Sequence, residues 1–108
     1  MFLVDAHGKT VYLFEADTTS QSRCSGQCAA NWPPFLTSGA PVAGSGVNQA
    51  LLGTTTRADG MTQVTYKGHP LYDFVADTRA GDTKGAGLRA FGASWYVVAP
   101  SGDKIDNT

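Results

Sequence analysis

Two cysteines in the first half of the chain are the residues best suited to redox or metal chemistry. Three residues separate Cys24 from Cys28, whereas redox dithiols and zinc knuckles usually have two residues between their cysteines. In a small β-rich domain of an oxidising compartment, two cysteines this close most simply form a local bridge. We expect a Cys24–Cys28 disulfide, which would stabilise the fold by about 2 kcal/mol in the chain-entropy model.

The alternative chemistry is a soft-metal or redox site in which a histidine joins the two thiolates. His7 and His69 stand beside glycines at similar places in the two halves of the chain, and copper and zinc accept both thiolate and imidazole ligands. A histidine in a turn is usually a solvated polar group, however, and the sequence shows no third type of ligand. We predict no cofactor, with a metal ion on Cys24, Cys28 and His7 or His69 as the alternative.

A repeated tyrosine–aspartate pattern is the second candidate site. Residues 8–18 align with residues 68–78 without a gap, and six of the eleven aligned positions are identical. A phenol and a carboxylate repeated in this way would suit a cation, a sugar or a peptide. The structural interpretation, which we favour, is that the tyrosine is buried in a strand while the aspartate orders the following loop. The residues concerned are Tyr12, Phe14 and Asp17 in the first copy, and Tyr72, Phe74 and Asp77 in the second.

Two further segments suggest surfaces for binding. Trp32, Pro33 and Pro34 would form a rigid aromatic surface, although Trp32 is better explained as a core residue, like Trp95 in the second copy. The loop at residues 77–87 has carboxylates that suit Ca²⁺ but lacks the EF-hand pattern, which favours a solvated loop. A nucleophile motif such as G-x-S-x-G is also absent. We therefore predict that the protein is not an enzyme.

Composition and hydrophobic patterning predict a mainly β fold. The 108 residues, 42% of them hydrophobic and 16% charged, fit one compact domain, and 13 glycines with five prolines favour short strands joined by turns. The net charge of −1, with eight basic residues scattered singly, gives no positively charged patch for nucleic acid. The longest apolar stretches, such as residues 95–100, are far shorter than the roughly 18 residues of a membrane span. The N-terminus has no signal-peptide pattern, so we expect the targeting segment to be missing from this sequence.

Strand and turn signals divide this single domain, residues 1–108, into two pseudo-symmetric antiparallel hairpin repeats. Repeat 1 covers about 1–40, a connection about 41–50 and repeat 2 about 51–100. Alternation places Tyr12 and Phe14 on one strand face and Val11 and Leu13 on the other. In repeat 2 the same rule separates Tyr72 and Phe74 from Leu71 and Val75. A further hairpin is expected from residues 51–57 and 61–66, and one short helix or turn around the cysteines.

Several of these motifs, in this order, resemble the bacterial secreted-repeat family of predicted lipoproteins with a Y-x-[FWY]-x-x-D motif. The resemblance covers nearly all of residues 3–100. It rests on residues 12–17 and 72–77, on the cysteine pair followed by Asn31, Trp32, Pro33 and Pro34, and on residues 67–72. It implies export, and lipid anchoring for members with a lipobox cysteine, which this sequence lacks near its start. The family implies no known activity.

The sequence thus predicts a secreted or cell-envelope module without catalytic activity, whose function is binding or interaction. Its partner would be an unknown envelope protein or a small ligand, contacted through Trp32, Pro33 and Pro34 or through the loop at residues 77–87. The alternative is a redox or electron-transfer protein that uses Cys24, Cys28 and a histidine.

Overall fold

A computed structural model describes residues 2–39, 41, 43–44 and 46–105. Short β-strands dominate this part of the chain. In chain order the elements are β1 (Tyr12–Phe14), α1 (Gln27–Asn31), one 3₁₀ turn (Gln49–Leu51), β2 (Leu52–Thr56), β3 (Thr62–Tyr66), β4 (His69–Pro70), β5 (Arg89–Ala90), β6 (Ala93–Val98) and β7 (Lys104–Ile105). The mainly β prediction is therefore confirmed. Among the described residues, no helix is long and apolar enough to cross a membrane.

The second half contains the predicted further hairpin, β2 and β3, and β4 pairs with β3 to complete an antiparallel sheet. Thr65, in the middle strand, is opposite Gly53 on one side and Pro70 on the other. Lys67 and Gly68 both have positive φ, at 50° and 78°. This left-handed pair is the geometry that closes a two-residue hairpin between strands of right-handed twist. Val42 and Ser45 of the predicted connection lie outside the described residues.

The two copies of the repeat are joined by exchange of strands. We call β1 and residues 72–74 the tyrosine segments, and residues 32–35 and 95–98 the tryptophan segments. Tyr12 of the first copy pairs with Val97 of the second, in the β1–β6 ladder. In the reverse sense, Tyr72 of the second copy pairs with Pro34 of the first. Each tyrosine segment thus pairs with the tryptophan segment of the other copy.

The two tyrosine segments meet at the centre of the molecule. The Tyr12 amide donates to the Tyr72 carbonyl over 2.8 Å, and the Tyr72 amide donates to the Tyr12 carbonyl over 3.0 Å. This reciprocal pair of hydrogen bonds relates the copies as a two-fold axis would. The repeats are therefore interlocked, and their strands complete one another.

The alternation of the strands builds two clusters of buried residues. Leu13 and Leu71 belong to an aliphatic cluster, while the motif tyrosines and Phe14 belong to an aromatic cluster on the other face. The predicted division of the faces is correct for these residues. Val75 is an exception, because it lies in the turn after the tyrosine segment and is half exposed, at 51%. The alternation of the strand ends before Val75, which belongs to a turn.

Four aromatic rings form a continuous stack through the aromatic cluster. Trp32 and Trp95 lie face to face at the centre, with ring centroids 3.9 Å apart and planes inclined by 4°. Phe14 stacks on Trp95 and Phe74 on Trp32, each with centroids 4.0 Å apart. Such contacts contribute about 0.5 to 1.5 kcal/mol each beyond the area that they bury. Successive rings of the stack come from alternate copies, so the stack holds the two copies together.

Both cysteines belong to this cluster and lie at the predicted short helix. Cys24 precedes α1 and Cys28 lies within it, and the two form a disulfide with Cα atoms 5.2 Å apart. Both are buried. The helix ends at Asn31, with Trp32 as its C-cap, since the prolines that follow cannot continue it. The predicted disulfide and the helix or turn around it are confirmed.

Gly85 should tolerate no side chain, because it faces the aromatic stack. A Cβ at this position would lie 2.6 Å from the Trp32 ring and 3.1 Å from Phe74. We expect Gly85→Ala to lower the free energy of unfolding by about 1 to 3 kcal/mol through overpacking. Gly39→Ala is the matched control, since a Cβ on Gly39 meets nothing within 4 Å. Equal stability of both variants in urea denaturation would show that the stack can shift freely.

Candidate functional site

The repeated tyrosines and aspartates form two hydrogen-bonded pairs, and each pair joins the two copies. The Tyr12 hydroxyl donates to Asp77 Oδ2, and the Tyr72 hydroxyl donates to Asp17 Oδ2, both over 2.5 Å. Both aspartates are buried, at 6% and 5% exposure for Asp17 and Asp77. The tyrosine of one copy therefore serves the aspartate of the other, which the alignment of the repeats alone does not reveal.

The second oxygen of each carboxylate orders the loop that follows it. Asp17 Oδ1 accepts the Arg23 amide over 2.7 Å, and Asp77 Oδ1 accepts the Lys84 amide over 2.9 Å. Each aspartate thus closes a loop of six or seven residues and anchors it to the other copy through the phenol. The arrangement agrees with the structural interpretation of the motif, although the loops are wider than a local aspartate turn.

Burial affects the protonation of both phenols and of Asp17. Desolvation, and then the hydrogen bond to the aspartate partner, raise the pKa of Tyr12 and of Tyr72 far above the ordinary tyrosine value. Desolvation also raises the pKa of Asp17, against the opposing effect of its bond from Tyr72. The phenols therefore remain protonated donors at physiological pH. They supply neither a nucleophile nor a base.

A buried arginine, which sequence reasoning missed, supports the second pair. Arg57 is only 6% exposed. Its guanidinium donates to the Cys24 carbonyl over 2.8 Å, and to Ser22 Oγ and Gln63 Oε1 over 3.0 Å each. Ser22 Oγ in turn lies 2.6 Å from the Tyr72 hydroxyl. An arginine before a turn usually projects into solvent, so no local signal in the sequence could have identified this network.

The structure separates the residues of the alternative metal site. Cys24 and Cys28 share a disulfide, and no free cysteine is found among the described residues. His7 is exposed in its turn, while His69 is half-buried in β4. In the described ranges, no group of three or more His, Cys, Asp or Glu residues is placed to hold a metal ion. A metal on the two thiolates would first require reduction of the disulfide.

The two predicted contact surfaces, residues 32–34 and the loop at residues 77–87, differ in how much of each is exposed. Trp32 is buried, at 1% exposure, and contributes to the aromatic stack, so only Pro33 and Pro34 reach the surface. In the loop at residues 77–87, Asp82 Oδ2 accepts the amides of Thr78 and Arg79. The loop carboxylates are thus engaged by the chain itself.

A second candidate site is an apolar cleft, which no single sequence motif predicted. It encloses about 660 Å³ between the N-terminal segment and the segment around Leu36. Buried aliphatic side chains of both copies form its floor, and Val4 and Leu36 at its rim are 43% and 37% exposed. The lining includes Phe2, Leu3, Val4, Asp5, Ala6, Val11, Phe35, Leu36, Thr37, Val47, Leu52, Val64, Leu71 and Pro100. We call this site the apolar cleft.

A smaller pocket of about 310 Å³, which Asp5 also lines, has both polar and apolar walls. Asp73 lines it, and Asp73 Oδ1 is buried without a hydrogen-bond partner in the described structure. Lys9 Nζ, nearby, donates to the Asp77 carbonyl over 2.7 Å. Burial, and then the negative charge of Asp5, raise the pKa of Asp73 to about 6, while Lys9 opposes the shift. Asp73 therefore changes its charge in a mildly acidic range.

Comparison with known proteins matches both copies of the repeat to one family. The family model describes a secreted repeat of unknown function, and it matches residues 2–35 and 53–99. The two matches follow the two copies found by alignment of the chain with itself. The chain matches no curated protein and no solved structure.

The crossed pairs should matter for stability. We expect Asp77→Ala to lower the free energy of unfolding by about 1 to 3 kcal/mol, because it leaves the Tyr12 hydroxyl and the Lys84 amide unpaired. Tyr12→Phe should cost a similar amount, and the double variant less than the sum, in a double-mutant cycle. Glu15→Ala is the control, since its exposed ion pair with Lys104 contributes at most about 1 kcal/mol. Strict additivity would contradict a direct Tyr12–Asp77 interaction.

Asp73 should make the protein less stable as pH rises. Its folded pKa exceeds the ordinary value, so the folded state binds more protons between about pH 4 and 6, and stability falls across that window. Asp73→Asn should therefore raise the free energy of unfolding by about 1 to 2 kcal/mol at pH 8, after allowance for partial exposure, and by little at pH 3.5.

Denaturation at the two pH values measures this difference. Asp103→Asn is the control, because Lys67 lowers the pKa of exposed Asp103 and the substitution should not stabilise at pH 8. An Asp73→Asn variant with the same gain at both pH values would contradict the assigned titration.

Proposed function

Because the chain belongs to the family of secreted repeats of unknown function, we propose that it is an exported, non-catalytic module that binds an apolar ligand. The apolar cleft carries this proposal. Its volume of about 660 Å³ lies within the range of about 300 to 1,000 Å³ that is usual for ligand pockets. The family description and the buried disulfide both fit an extracellular or envelope location.

The construction of the cleft supports a binding role. Its floor contains Leu3 and Val11 from the first copy and Val64 and Leu71 from the second, all in the aliphatic cluster. These residues are held by backbone hydrogen bonds, such as those from the Val11 amide to the Leu3 carbonyl and from the Leu71 amide to the Val64 carbonyl. A cleft with a rigid floor loses little conformational entropy when a ligand enters.

The chemistry of the cleft supports the absence of catalysis. Asp5 is the one ionisable side chain among the described residues that line it. Asp5 Oδ1 accepts the amides of His7 and Lys9, over 2.8 and 3.0 Å, so the carboxylate is already part of a turn. The repeated tyrosines and aspartates are buried elsewhere and bonded to one another. General acid–base or nucleophilic chemistry would need a second positioned group beside the ligand.

A neutral fluorescent probe, N-phenylnaphthylamine, tests this proposal. We expect its fluorescence to rise on binding to the cleft, and Leu36→Asp to weaken binding by about tenfold, since the substitution removes apolar contact and adds a charge. Val75→Asp is the matched control, because Val75 is also exposed but does not line the cleft.

Two results would contradict the proposal. Unchanged probe binding by Leu36→Asp, or equal loss in both variants, would show that the probe does not occupy the cleft. Turnover of model ester or glycoside substrates that is abolished by a cleft substitution would contradict the non-catalytic assignment.

A further inference from the structure

The N-terminal segment forms a strand edge that is paired on one side only. Val4 is opposite Thr10 in an isolated antiparallel bridge. The bonds of that bridge come from its neighbours: the Leu3 carbonyl accepts the Val11 amide, and the Asp5 amide donates to the Lys9 carbonyl. Successive residues of an extended segment direct their backbone groups to opposite sides. The Val4 amide and carbonyl therefore face away from the hairpin, and they have no hydrogen-bond partner among the described residues.

The second copy shows which element pairs with the corresponding edge. Thr65 corresponds to Val4, because Thr65 is opposite Pro70 as Val4 is opposite Thr10. On its outer side Thr65 is also opposite Gly53 of β2, so its strand is paired on both sides. Within the described residues, the first copy has no strand at the place that β2 occupies in the second. In the part of the chain that the structure describes, the same framework thus has one filled and one open strand position.

The open position lies within the apolar cleft. Residues 2–6 line the cleft, so the edge borders the cleft over several residues. In an extended strand the four residues 2–5 span about 13 Å. Phe2 is two residues before Val4 and directs its backbone groups the same way, whereas Ala6 belongs to the turn that the bond from the Gly8 amide to the Asp5 carbonyl closes. A strand laid along the edge would have its side chains against the aliphatic floor or toward the exposed Leu36.

We propose that this edge binds an extended segment of a partner polypeptide, which adds as an antiparallel strand beside residues 2–5. The inference rests on the proposed function and specifies the apolar ligand as a peptide. Strand addition of this kind combines backbone hydrogen bonds, which provide affinity, with side-chain contacts, which provide selectivity. By the precedent of Gly53 opposite Thr65, a small residue belongs opposite Val4.

Charge favours a partner strand with a basic residue over a second copy of the chain. Asp5 supplies the one charge in the described lining of the cleft, and its Oδ1 accepts two backbone amides, which leaves Oδ2 for a lysine or arginine. Two copies paired antiparallel at Val4 would instead place Asp5 of each opposite Leu3 of the other, with no cation for either carboxylate in the paired residues 2–5. The preferred segment is therefore apolar or threonine-rich, with glycine at its centre and a basic residue near one end.

A synthetic peptide with the sequence Lys-Leu-Leu-Gly-Thr-Thr-Thr, blocked at both ends, tests this inference. It has the sequence of residues 51–56, which include β2, preceded by lysine. N-methylation of the glycine removes the amide expected to face Val4, whereas N-methylation of the following threonine blocks an amide that faces away. We expect the first change to weaken binding by tenfold or more and the second by less than twofold, as measured by NMR titration of the labelled protein.

Exchange of the Val4 amide with solvent provides an independent readout. The amide should exchange fast in the free protein and at least tenfold more slowly with the peptide bound. Asp5→Asn keeps the turn acceptor but removes the charge, so it should weaken this peptide several-fold and leave unchanged a peptide with norleucine in place of lysine. Slow exchange of Val4 in the free protein, equal effects of the two N-methylations, or dimerisation through residues 2–5 would each overturn the inference.

These outcomes are separable from failure of the proposed function. If the neutral probe binds in the cleft and Leu36→Asp weakens it, while the two N-methylated peptides bind alike, the cleft is a binding site but not for a strand. If neither the probe nor the unmodified peptide binds, both the proposed function and the strand addition fail.

Discussion

The exchange of strands between the two copies is the constraint on which the rest of the structure depends. Tyr12 and Tyr72 exchange backbone hydrogen bonds at the centre, and each of their segments is completed by the tryptophan segment of the other copy. The aromatic stack, the floor of the apolar cleft and the crossed tyrosine–aspartate pairs all contain residues of both copies. None of them exists until both copies are in place, which makes cooperative unfolding the expected behaviour of so small a domain.

The polar groups in this interior also restrict which arrangement of the copies is stable. A buried carboxylate without its phenol, or Arg57 without its carbonyl and amide acceptors, would carry a large desolvation penalty. Shifting one copy against the other by a single residue would break the bonds of Asp17 and Asp77 together. The apolar contacts alone would tolerate several packings, whereas the hydrogen bonds select one.

Much of the local structure could be predicted from the sequence because its signals are local. Alternating residues placed Val11 and Tyr12 on opposite faces, and the spacing of Cys24 and Cys28 indicated a disulfide. The crossing of the pairs could not be predicted, since the aligned copies are equally compatible with pairing inside each repeat. Arg57 is buried only because acceptors from residues 22–24 and from Gln63 converge on it. Val75 shows the converse error, where a local pattern continued past the end of the strand. The apolar cleft also escaped prediction, because its walls come together only after the copies have interlocked.

The crossed arrangement has a consequence for the descent of the fold. One copy alone carries the donor of one tyrosine–aspartate pair and the acceptor of the other, so two identical single-copy chains could complete each other as a symmetric dimer. Joining them in one chain replaces a bimolecular encounter by an intramolecular one, with an effective concentration set by the connecting segment. Once joined, the copies are free to differ. The first has a disulfide that the second lacks, and the second has an outer strand that the described residues of the first lack. A pair of copies in one chain can thus become asymmetric without losing the core that they share.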